Sequence, residues 1–117
     1  MSNTDTDYGS TFVVIGDDKY ELQFTLKAVK AIDTQFKGLI NALQSVNLMS
    51  PQAVAAVITF GAGLSTKQQA VEALEWAIIR AGVSNIASEV TPYLMAMLNP
   101  AQKTPEEIER EAEAGNE

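Results

Sequence analysis

The chain has no cysteine and no histidine, and only one tryptophan among 117 residues. Without them it has no Cys/His zinc site, no thiol nucleophile, no haem thiolate, no disulfide framework and no Ser-His-Asp triad. Cations are also scarce, eight Lys and Arg against fifteen Asp and Glu. They form no basic cluster of the kind that neutralises phosphates, so nucleic-acid binding is disfavoured. The absence of cysteine agrees with a reducing compartment. A chain of this length is expected to form a single domain.

The net charge of −7 is unevenly placed. Residues 1–18 hold Asp5, Asp7, Asp17 and Asp18 with no cation, a charge of −4. Residues 101–117 also sum to −4, because six Glu outweigh Lys103 and Arg110. The stretch between them, with six cations and five anions, carries only +1. The expectation is an acidic, disordered N-terminus over residues 1–10, one globular domain over 11–100, and an acidic, largely disordered tail over 101–117.

Met1 to Ser10 is polar and acidic, unlike a basic leader followed by an apolar stretch. From Gly38 to Thr66 no residue is charged. Asn41, Gln44, Asn47, Ser50, Pro51 and Gln52 interrupt this run, so it reads as buried or partner-facing protein and not as a membrane span.

Thr11 to Ile15 is β-branched and aromatic, Gly16-Asp17-Asp18 has turn chemistry, and Lys19 to Phe24 alternates, with Tyr20, Leu22 and Phe24 on one face. This predicts a β-hairpin over 11–24. A lone hairpin is marginal in water, so its apolar face must rest on helices. Thr25 is placed to cap a helix whose apolar positions Val29, Ile32, Phe36, Leu39, Ile40 and Leu43 step by three and four. Gly38 interrupts that stripe and predicts a kink or a break into two short helices.

Ser50-Pro51 is a helix start, with Ser as cap and Pro at the first helical position. The segment Ala53 to Leu64 that follows has Thr59 as its only polar side chain, the pattern of a helix central to a bundle or covered by a partner. Ser65 or Thr66 is expected to start a helix over Lys67 to Ala81, with Val71, Leu74 and Ile78 in one stripe and Gly82 as its stop. Ser84 is expected to cap a last core helix carrying Ile86, Val90, Tyr93, Leu94, Met97 and Leu98. Pro92 predicts a kink near Glu89, and Asn99-Pro100 ends the helix. Thr104-Pro105-Glu106-Glu107 matches a capping box in the acidic tail. The expected fold is thus α+β and mostly α, an N-terminal β-hairpin packed on a bundle of about four helices within 26–98.

Motifs for chemistry are weak. Asp5-Thr-Asp7 begins like a calcium loop, but Ser10 stands where Gly is needed and Gly16 where the closing Glu belongs. Gly61-Ala-Gly63-Leu-Ser-Thr-Lys67 lacks the Gly before Lys of a phosphate loop. Asp33, Glu72, Glu75 and Glu89 are the candidate paired carboxylates. Acid/base work would need one of them buried, whereas Glu72 and Glu75 read as a solvated helix face and the neighbouring Trp76 as core. Ser50, Ser65 and Ser84 read as helix caps and not as sites of modification. No catalytic residue, cofactor or metal site is expected.

Apolar supply is what remains. Leu48, Met49, Phe60, Leu64, Met95 and Met97 lie off the main stripes or at element ends, and a small interior has limited room for them. They are the candidate partner-binding residues, in a hydrophobic groove or a self-association patch, since Met adapts to varied partner helices. The competing reading is that they fill the core.

The hairpin with Tyr20-Glu-Leu-Gln-Phe-Thr-Leu-Lys-Ala-Val-Lys-Ala-Ile-Asp33 comes first. A Leu39-Ile-Asn-Ala-Leu43 stretch, an uncharged helix, a Val71-Glu-Ala-Leu74 helix ending in Gly and a final Pro92-Tyr-Leu94 helix follow. Over roughly residues 12–98 this arrangement resembles the small tail assembly chaperones of tailed phages, siphophages and gene-transfer-agent types in particular. Asp33 stands where that pattern would place Glu. The resemblance implies a non-enzymatic protein of the host bacterial cytoplasm. It would hold the tape-measure protein soluble and help recruit the tail tube protein, with homo-oligomers possible and neither nucleic acid nor membrane as partner. In some such systems a ribosomal frameshift appends a second domain. The other readings are a structural tube or connector protein of a prophage tail, and a small acidic regulator of a host protein.

Overall fold

A two-residue turn at Gly16-Asp17 closes the hairpin in the computed structural model, which describes residues 11–99. Expectations for residues 1–10, for Pro100, and for the tail with its capping box lie outside the described residues. Gly16 has φ 62° and Asp17 does not share its sign, the pattern of a II′ turn with glycine first. Strand β1 (Thr11–Ile15) pairs antiparallel with β2 (Asp18–Leu22), Val13 opposite Tyr20 and Ile15 opposite Asp18. Val13, Ile15 and Leu22 are buried on the inner face, whereas Phe12 and Val14 stand exposed on the outer one. The strand ends at Leu22, so Phe24 lies beyond it, partly buried against the core.

Helix α1 (Leu26–Phe36) begins as its sequence demands, the Thr25 hydroxyl accepting the Ala28 N–H at 3.1 Å. At Lys37 the backbone turns left-handed, φ 59°, and the chain breaks at Gly38 before restarting as α2 (Leu39–Asn47). Of the two outcomes expected at Gly38, the break is the one found, and it makes five helices among the described residues. After a turn at Met49, also left-handed, Ser50 caps α3 (Pro51–Ala62) by accepting the Ala53 N–H at 3.1 Å.

The uncharged helix α3 is the centre of the fold. It packs against β2, α1 and α2, and also against α4 (Gln68–Ala81) and α5 (Val83–Leu98). Ala53, Val54, Ala55, Val57, Ile58, Thr59 and Gly61 are all buried. Gly61 is there for closeness, since a Cβ at this position would stand 3.0 to 3.1 Å from the Tyr93 ring. The same contact ties three elements together. Buried Tyr93 of α5 donates its hydroxyl to the Gln23 carbonyl at 2.6 Å, and the Gln23 N–H donates to the Gly61 carbonyl at 2.9 Å.

Two caps differ from expectation. Neither Ser65 nor Thr66 caps α4; Lys67 holds the N-cap position without a side-chain bond, and the Ser65 hydroxyl accepts the Lys67 N–H in the preceding turn. Nor does Ser84 cap α5. Gly82, with φ 98°, ends α4 and starts α5 at once, its N–H on the Ile79 carbonyl and its carbonyl accepting from Ile86, so Ser84 already lies inside the helix. The Asn85 amide reaches back to the Ala81 carbonyl at 3.1 Å. Asn41 does the same for the Lys37 carbonyl at 2.9 Å, so Gly38-x-x-Asn41 and Gly82-x-x-Asn85 are one device used twice. Helix α5 runs through Pro92 as a single element. Ser88 and Pro92 are both exposed, where water can meet the carbonyl left without an N–H. Among the described residues no helix is long and apolar enough to cross a membrane.

Candidate functional site

The six apolar residues singled out by sequence separate into three environments. Leu48, 82% exposed, and Met49 sit together at the turn between α2 and α3, and Leu48 lines a cleft of about 240 Å³ with Phe36, Ala53 and Ala56. Met95 is exposed on α5 next to Leu98, three residues on and on the same side of the helix. Phe60 and Leu64 are partly buried against the core. Met97 is a core residue, 7% exposed, because it continues the buried stripe of Val90, Tyr93 and Leu94 at helical spacing. It offers nothing to a partner in this conformation.

Trp76 departs from the sequence expectation in the opposite sense to Met97. It was expected in the core and is 60% exposed, with exposed Ile79 one turn further along the same face of α4. The signal was present in the spacing. Leu74 and Ile78 carry the helix onto the core, and Trp76, two residues from each, lies roughly 200° around the helix from both. Nothing in the packing calls for an indole there, and tryptophan is among the residue types enriched at binding hot spots.

On the opposite flank of α4 lies a groove of about 440 Å³. Ala70, Ala73 and Ala77 form one wall, Tyr20 and Asp18 of β2 the other, with Leu64 and Thr59 between them. Alanines at steps of three and four remove side-chain bulk from one helix face, which is why α4 leaves this space unfilled. The Thr59 hydroxyl is the one buried side-chain polar atom without a hydrogen-bond partner among the described residues. Burial, and then the Asp18 carboxylate, push the Tyr20 hydroxyl above its usual value, so this wall is neutral phenol at ordinary pH. The groove is mainly apolar, with a few polar groups from Asp18, Tyr20, Thr59 and Ser65 at its margins, as peptide and small-ligand sites are.

Two of the four candidate carboxylates have other partners. Glu72 accepts from Gln68 on its own helix at 3.0 Å. Glu89 reaches from α5 to the hairpin and accepts the Val14 N–H at 2.9 Å. Among the described residues no three acidic side chains gather as a metal site. Comparison with known protein families, with curated proteins and with solved structures finds no match to this chain.

Proposed function

We propose that this protein is a tail assembly chaperone of a tailed phage or prophage. It acts in the host bacterial cytoplasm without catalysis, binding the tape-measure protein and aiding assembly of the tail tube. The observation that carries the reading is the exposed Trp76–Ile79 pair, one turn apart on a helix that α3 and α5 hold from behind. Such a pair matches the spacing at which an amphipathic partner helix presents its own anchors. Leu48, Met49 and Met95 add adaptable apolar contact elsewhere on the domain. A tape-measure protein is a long chain of apolar helices, and a chaperone for it needs this kind of surface. The sequence resemblance over residues 12–98 supplies the biological setting.

The test is co-expression with the tape-measure protein encoded beside this chain, followed by affinity capture and size-exclusion light scattering. Co-elution at many copies per tape measure, with the tape measure insoluble when made alone, supports the chaperone. Absence of binding, with this chain building rings or tubes by itself, would replace it with a structural tail role.

A further inference from the structure

The two edges of the hairpin are treated differently. On β1 the Val14 N–H points away from β2, onto Glu89 of α5, so that edge is covered. This fixes the polarity of the ladder: Val14 and its opposite Lys19 form a non-hydrogen-bonded pair, and the main-chain groups of Lys19 and, two residues on, Glu21 point outward from β2. Gln23, the next outward residue, is consumed by Gly61 and Tyr93. Among the described residues nothing pairs with the main-chain groups of Lys19 and Glu21. Both residues are exposed, and the groove beside Asp18 and Tyr20 keeps α4 away from the strand.

An open strand edge is a template for another strand, and its charge pattern selects which. We propose that two copies of this chain pair through β2, antiparallel about a two-fold axis at Tyr20, to make a four-stranded sheet. In that register Lys19 of each copy lies opposite Glu21 of the other, and both residues exchange main-chain hydrogen bonds across the axis. Moving the register by one step brings the inward-pointing groups of one strand against the outward-pointing groups of the other. Moving it by two puts Lys19 opposite Lys19, or Glu21 opposite Glu21, and the second of these also calls on Gln23, which is already bonded. Of these, the register at Tyr20 alone matches opposite charges and uses main-chain groups that are unpaired among the described residues. The contact is isologous, as a two-fold dimer requires. The Lys19 ammonium lies 4.4 Å from the Phe12 ring centre, on the outer face of the sheet but toward β1, and it would swing to the open side of β2 to meet the partner's Glu21. This dimer does not depend on the chaperone reading.

Sedimentation of the full chain over a concentration series, with amide exchange at Lys19 and Glu21, tests it. A reversible dimer is expected, with those two amides protected only at concentrations where the dimer forms. Glu21→Lys, which disturbs no hydrogen bond or ion pair within the described residues, places like charges opposite each other twice and should weaken the dimer by roughly tenfold or more. The exchanged variant carrying both Lys19→Glu and Glu21→Lys should recover it. A monomer throughout overturns the proposal, as does a dimer indifferent to Glu21→Lys or not recovered by the exchange. Protection of the same amides in a monomer also overturns it, because another segment of the chain would then hold the edge.

Discussion

Helices α3 and α4 are neighbours of similar length, yet α3 buries seven of its twelve residues and α4 only Leu74 and Ile78 of fourteen. The difference begins in composition. α3 carries no charge and is packed by every other described helix and by β2, whereas α4 puts Gln, Glu, Arg and the exposed Ala70 and Ala73 around a narrow apolar seam. Their starts differ too, α3 with a Ser cap and Pro at the first position, α4 with neither. One helix holds the domain together. The other fully buries two side chains, packs Ala77 and Ala81 partly against the core, and displays most of the rest, including the sole tryptophan. A helix with few buried contacts is where local opening costs least.

The harshest way to break this contrast is to attack the seam. Leu74→Asp should abolish the cooperative thermal transition, since it puts an unpaired carboxylate against the core at one of only two anchors. A folded, merely weakened Leu74→Asp would mean that α4 is dispensable to the core. Less severe is Tyr93→Phe, which removes the hydroxyl held by Gln23 beside α3 and should cost about 0.5–1.5 kcal/mol in chemical denaturation.

Tyr93→Phe also carries a pH signature. Burial raises the Tyr93 hydroxyl above its ordinary value of 10.0, so the fold favours the neutral form. Its contribution is complete below pH 10.0 and is lost as pH rises beyond that towards the folded value. The alkaline fall in stability should therefore be shallower in Tyr93→Phe than in the parent, and not absent, since Tyr20 is also raised and remains. Smaller again is the capping comparison. Ser50→Ala should cost about 1 kcal/mol, while Thr66→Ala in front of α4 should cost nothing measurable, because no hydroxyl caps that helix. Smallest for stability is Trp76→Gln, expected within about 0.5 kcal/mol of the parent by thermal melt. The same variant should lose most capture of the tape-measure protein.

What could be read from sequence was whatever local chemistry decides. Thr25 and Ser50-Pro51 mark their helices unambiguously, and the uncharged run announces α3 as the centre. Gly38 announced an interruption without saying which kind. Ser84 misled because a Ser before a helix is a common cap, and nothing local shows that Gly82 already serves both helices with Asn85 covering the freed carbonyl. Trp76 misled for a different reason, since its size argued for burial and its position two residues from both anchors argued against it; position prevailed. Met97 followed position in the same way, into the core. The groove beside β2 had no local signal, because it arises from two walls brought together by the fold, Tyr20 on one and an alanine face on the other. The open edge of β2 was equally hidden, since which N–H groups face outward depends on the Val14–Glu89 bond between distant segments.

Because the chain has one tryptophan, its fluorescence reports on α4 alone. The most direct measurement is Trp76 emission of the purified chain titrated with soluble helical segments of the tape-measure protein, with the Trp-free variant as blank. A saturable blue shift at substoichiometric segment, reflecting burial of the exposed indole on a multivalent partner, is the expected result. An emission maximum that stays at the solvent-exposed position while light scattering shows the complex has formed would contradict it, and would move the partner site away from α4.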